Sequence, residues 1–150
     1  MSKPNEAFHA GRPASSEEER LRSTGVRTKG QVFHVQSAPA ISDYGGELRI
    51  PIHPLAGSVS AMAISYKLEP GEKSRVIVLS MSECGLSVVQ GQGKIWIGET
   101  AHEFAVGDLA FVPVQARFSV ANTGDEPLVL LGLISPPDPN MLRAAGLWTD

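Results

Sequence analysis

Residues 75–93 read RVIVLSMSECGLSVVQGQG. Two short apolar runs rich in Val, Ile and Leu flank a polar corner, SMSE, and Gly91 and Gly93 close the stretch. Such runs bounded by small turn residues read as the two strands of a hairpin. Side chains two apart on a strand share a face. One row is therefore Arg75, Ile77 and Leu79, and the other is Cys84, Leu86, Val88 and Gln90. Both the fold and the function turn on what this shared face holds.

The same pattern extends outward on both sides. QVFHVQ, ELRIPIH, SVSAMAISYKL, KIWIGE, HEFAV, DLAFVPV, RFSVAN and PLVLLGLI are short β-branched or alternating runs between Gly, Pro, Asn and Asp. Even spacing of this kind over residues 31–135 predicts an all-β sandwich or small barrel. Pro51 and Pro54 send ELRIPIHPL to a sheet edge, because proline cannot donate to a ladder. PPDP at 136–139 stops the last strand. Asn140 is then the expected cap of a helical turn, MLRAAG, ended by Gly146.

A chain of 150 residues fits one domain with a real core. A net charge of −3 excludes the basic footprint of a nucleic-acid binder. No apolar run reaches the ~20 residues of a membrane helix, and residues 1–13, MSKPNEAFHAGRP, lack the apolar core of a secretory signal. One cysteine excludes an internal disulfide framework, which suits a cytoplasmic location. Residues 1–30 are expected to form a flexible arm, with one short capped helix in SSEEERLRS. Residues 31–150 are expected to form a single domain.

The turn residues resemble those of a small single-domain cupin. Gly71, Gly91, the pair Gly107-Asp108, Pro113, Asn122 and the turn TGDEP recur at that family's separations over about residues 58–135. The resemblance implies a cupin-type β-barrel, the double-stranded β-helix or jelly roll, with short terminal helical segments. In the family's first motif two histidines and a glutamate bind metal, and here those positions fall on Ile77, Leu79 and Cys84. The second motif's histidine falls on Phe118, and its inner glycine is Gln115. One cysteine among aliphatics does not hold a metal, which needs imidazole, carboxylate or thiolate donors in a cluster. Neither a metal nor any other cofactor is implied.

An apolar lumen follows, lined by Ile77, Leu79, Leu86, Val88, Gln90, Phe118 and Val120, with Cys84 at its middle. Arg75 and Gln90 are expected nearer its ends. Cys84 is either a nucleophile, which needs a depressed thiol pKa, or a small hydrophobe. His53, held between two prolines, is a candidate general base or a structural residue. His34 lies before the motif strands, and His102 is expected to be partly buried at the far end of the barrel. Arg75 either grips an anionic or carbonyl-bearing ligand or pairs with a rim carboxylate. Tyr66 is a candidate hydrogen-bond or proton donor. Trp96 alternates with Ile95 and Ile97, which places it on an outer face for the arm or a second subunit to cover; the cupin resemblance implies pairing through such a face, so a homodimer is expected.

Two functions fit these residues. The first is a metal-independent cyclase, isomerase or lyase acting on an apolar substrate such as a polyketide, with His53, Arg75, Cys84 and Tyr66 as its catalytic groups. The alternative is a non-catalytic ligand-binding or regulatory module. A lumen filled solid by its own side chains is a third, structural outcome.

Overall fold

Alternation along the strands becomes burial of one residue in two. In MAISYKL, the strand Met62–Leu68, every second side chain from Met62 to Leu68 is buried. The computed structural model describes residues 29–148, and both sheets of the fold lie in the unit Phe33–Asp150. The helix expected in SSEEERLRS lies outside the described residues.

Nine strands form two antiparallel sheets: β1 Glu47–Ile52, β2 Met62–Leu68, β3 Ile77–Val78, β4 Glu83–Gln90, β5 Gln92–Ile97, β6 Thr100–Ala105, β7 Leu109–Val112, β8 Arg117–Asn122 and β9 Leu128–Ser135. The five-stranded sheet has the order β1-β2-β9-β4-β7, and the four-stranded sheet β3-β8-β5-β6. The fold is the all-β double-stranded β-helix that the turn residues implied. The inner faces of the two sheets meet in one core that includes Leu48, Met62, Leu68, Ile95, Leu128 and Ile134. Each such side chain contributes about 1.5–3 kcal/mol by leaving water.

Several local expectations change. The run at 75–90 is not a hairpin: β3 pairs with β8, while β4 pairs with β7 and β9. The SMSE corner thus carries the chain from one sheet to the other. QVFHVQ forms no strand; Val35–Ser37 is a 3-10 turn. β1 does lie at the edge of its sheet, paired with β2 and bridged at Leu48 to Ile41, and its register slips between Arg49 and Ile52, around Pro51. The C-terminal helix α1, Pro139–Ala144, is capped by Asp138 rather than Asn140. Pro139 takes the first helical position, where a missing N–H costs nothing, and the Asp138 carboxylate accepts the Met141 N–H at 2.9 Å.

Candidate functional site

The barrel centre is hydrocarbon. Ile77 faces Phe118 across β3 and β8. Cys84 lies between Val112 and Ile134, and Leu86 between Ala110 and Gly132. Ile77, Leu79, Cys84, Leu86, Val88, Phe118 and Val120 are each at most 5% exposed. Packing is tight enough that a Cβ on Gly132 would meet Leu86 Cδ2 at 2.6 Å and Ile64 Cγ1 at 2.9 Å. At the family's metal positions the side chains are two aliphatics, a thiol and a phenyl ring. That donor set does not fit a transition metal. Among the described residues no three His, Cys, Asp or Glu side chains are grouped to hold one.

Four polar candidates leave the lumen or lose their chemistry. Arg75 precedes β3, is exposed, and stacks its guanidinium 4.5 Å above the Tyr44 ring. Strand alternation does not extend back to it, so it does not point inward. Gln90 is exposed because a bulge between Val88 and Gln90 shifts the β4–β9 register and turns it off the inner row. The Cys84 thiol is pushed up to about 12 by burial. At neutral pH it is a protonated, enclosed thiol that packs as a hydrophobe, not a nucleophile. Burial also raises the Tyr66 phenol, whose hydroxyl donates to the carbonyls of Tyr44 at 2.8 Å and Gly45 at 2.6 Å. Tyr66 therefore braces the loop that carries Tyr44 and presents no proton to a ligand.

His53 stands apart from that core. With His34, Ile50, Pro51 and Leu147 it lines a cavity of about 230 Å³. Its Nδ1 is enclosed without a hydrogen-bond partner, and burial lowers the imidazole pKa. Burial thus favours the neutral ring, the form in which an imidazole accepts a proton near neutral pH.

A larger opening lies where the two sheets part. β6 and β7 are the free edges of different sheets, joined by the turn at 106–108. Asp108 holds that turn: its carboxylate accepts the Ala105 N–H at 2.9 Å, and its own N–H donates to the Ala105 carbonyl. Between the edges runs a groove of about 570 Å³ lined by Ile95, Ile97, Thr100, His102, Phe104, Ala110 and the rims of Leu109 and Phe111, with Glu103 and Asp108 at its border. Ile95 pairs with His102 and Ile97 with Thr100, so the imidazole and hydroxyl share the inner face of their sheet with buried Phe104. His102 is exposed, not partly buried, because β6 is an edge strand with no further strand beside it among the described residues. The lining mixes apolar walls with the polar Thr100, His102, Glu103 and Asp108, and a concave site with convergent polar groups is how small-molecule sites orient a ligand. Its signal in the sequence is the placement of His102 two residues before Phe104, which assigns both to one face without showing that the sheets separate there.

Residues 65–134 match the family model of the cupin domain. Among solved structures the chain is similar to KdgF from Halomonas sp., at 18% identity and a TM-score of 0.64 over 76% of this chain and 100% of that one. It is similar to the polyketide cyclase RemF from Streptomyces resistomycificus, at 14% identity and a TM-score of 0.64 over 74% and 82% of the two chains. The cupin domain of Cnp3 from Schizosaccharomyces pombe is similar at 16% identity and a TM-score of 0.55, over 69% and 72%. At these identities the likeness is one of fold. No curated protein matches the sequence.

Proposed function

The chain belongs to the cupins, with its cupin domain over residues 65–134, and from that premise we propose that it is a ligand-binding module that takes a small molecule with both an apolar and a polar part in the groove between β6 and β7. One observation carries this reading. The lumen where the family resemblance would place chemistry is packed with Ile77, Leu79, Cys84, Leu86 and Phe118, each shielded from solvent. Binding then moves to the open seam between the sheets. There Ile95, Ile97 and Phe104 offer apolar walls, and Thr100 and His102 offer hydrogen bonds that orient a polar end.

The test is a small-molecule fragment screen on the full chain, followed by amide chemical shifts. Bound fragments move resonances of Thr100, His102, Phe104 and Ala110, and His102→Ala weakens them at least tenfold. Shifts confined to the vicinity of His53 would overturn this assignment.

A second reading has its own support at His53. A neutral imidazole beside an apolar cavity is suited to general acid–base catalysis. In this reading the protein is a metal-independent cyclase, isomerase or lyase acting on an apolar substrate such as a polyketide, and the fold-level likeness to a polyketide cyclase is in keeping with it. Turnover that survives chelation and is lost in His53→Ala would establish this reading over the first.

A further inference from the structure

We infer that the polar part of the ligand in the β6–β7 groove is a protonated amine, so that the site takes an apolar body ending in an ammonium group. This rests on the groove being a ligand site. Its lining holds two carboxylates, Glu103 and Asp108, and, among the described residues, neither lysine nor arginine. Ionised carboxylates only accept hydrogen bonds, while the Thr100 hydroxyl and a neutral His102 imidazole accept as well as donate. An ammonium, with three donors and no acceptor, is the complement of that set. A carboxylate or phosphate ligand would meet two like charges and no fixed cation.

The two acidic groups are not equivalent. Glu103 is paired with Lys94 across β5 and β6, and its carboxylate lies 3.7 Å from the Lys94 ammonium. Strand alternation puts that pair on the opposite side of the sheet from Ile95 and His102. The charge of Glu103 is therefore partly answered from outside the groove. Asp108 is different. One of its oxygens accepts the Ala105 N–H at 2.9 Å, which fixes the direction of the carboxylate without neutralising it. Among the described residues no cation pairs with Asp108, so its charge is the one left for a ligand.

The backbone does not reverse this preference. β6 is the free edge of its sheet, and such an edge turns N–H and C=O groups outward in equal number. It serves either sign of charge, and the carboxylates decide between them. An exposed ion pair is worth little singly. An amine and an acid differ in sign, however, so attraction and repulsion add to a difference of about tenfold in affinity.

Three probes that share one apolar body test the inference: phenylbutylamine, phenylbutanol and phenylbutyrate. Each is titrated into the full chain at about pH 8, above the ordinary imidazole range, and followed by the amide shifts of Thr100, His102 and Ala110. The amine is expected to bind about tenfold tighter than the acid, with the alcohol between them. Asp108→Asn keeps an acceptor for the Ala105 N–H and removes the charge. It should bring the amine down to the affinity of the alcohol and leave the alcohol unchanged. Should that variant disturb the turn, Glu103→Gln reads the same loss from an exposed position, because it also leaves Lys94 without its carboxylate. An acid that binds as tightly as the amine overturns the inference while the groove stands as a ligand site. So does an amine preference undiminished in folded Asp108→Asn and Glu103→Gln. If none of the three probes moves these resonances, the groove reading itself falls and this inference falls with it.

Discussion

Ile77 and Phe118 are direct partners across the antiparallel β3–β8 pair. They stand at one ligand position from each cupin motif, so the contact that would have joined two metal-binding histidines is a hydrocarbon contact. Its loss should act on stability. Phe118→Ala is expected to cost about 3–5 kcal/mol through lost burial and the cavity left behind, read by urea unfolding. Chelation, or addition of manganese, iron or zinc, is expected to leave the wild-type melting temperature unchanged. A loss below about 1 kcal/mol, small for a buried aromatic, or a melting temperature that climbs with one metal, contradicts this account of the barrel centre.

The Cys84 thiol provides a second check on the same interior. It is buried and pushed up to about 12 from an ordinary 9.0. In the folded chain it should not react with an aromatic disulfide reagent at pH 8 over minutes, and one thiol should titrate once guanidinium unfolds the protein. The linkage has a definite sign. The folded pKa lies above the unfolded one, so the stabilisation is complete below pH 9 and is lost as pH rises toward 12. Cys84→Ala is expected to remove that alkaline slope. Rapid labelling of the native chain would mean that the lumen opens.

Much of the fold is legible because glycine and alternation are local signals. Gly71, Gly91 and Gly107 all adopt positive φ, at 84°, 82° and 99°. At Gly91 a Cβ would meet the Pro127 carbonyl oxygen at 2.5 Å, so the turn residue is demanded by both conformation and space. The inward rows from Ile77 and Cys84 also follow from period two. The errors arise where periodicity stops. Alternation assigns Arg75 to a strand that begins only at Ile77, and it carries Gln90 past a bulge that reverses its side. The groove is hidden for a different reason. His102 and Ala110 line one groove only because two sheet edges part, and no spacing along the chain encodes that separation.

His53 should make stability fall in mild acid. Burial lowers its folded pKa beneath the ordinary 6.5. In the window below pH 6.5 the unfolded chain takes up the proton before the folded one does. Stability is therefore full near pH 7.5 and declines as pH drops through 6.5 toward the folded value, then levels off. Urea midpoints measured between pH 7.5 and pH 5 should show this decline, and His53→Asn should flatten it. An unaltered slope in the variant would place the titrating group elsewhere and would show that the His53 ring reaches solvent.

Gln115 occupies the position of the second motif's inner glycine and keeps that glycine's backbone, with φ at 67°. Its N–H donates to the Leu79 carbonyl at 3.0 Å, and the Ala116 N–H closes the turn onto Pro113 at 3.2 Å. The turn is thus fixed by backbone bonds that any residue can make, while a side chain in the left-handed region costs roughly 1–2 kcal/mol. Glycine removes that strain but gives the unfolded chain more freedom to lose, about 0.5–1 kcal/mol. Gln115→Gly is therefore expected to stabilise the protein by up to about 1 kcal/mol, a rise of a few degrees in melting temperature for a chain of this size. Gln115→Val should destabilise it, because a β-branched residue tolerates positive φ least. If both substitutions lower the melting temperature equally, the exposed Gln115 side chain stabilises the turn by itself and the strain argument is wrong.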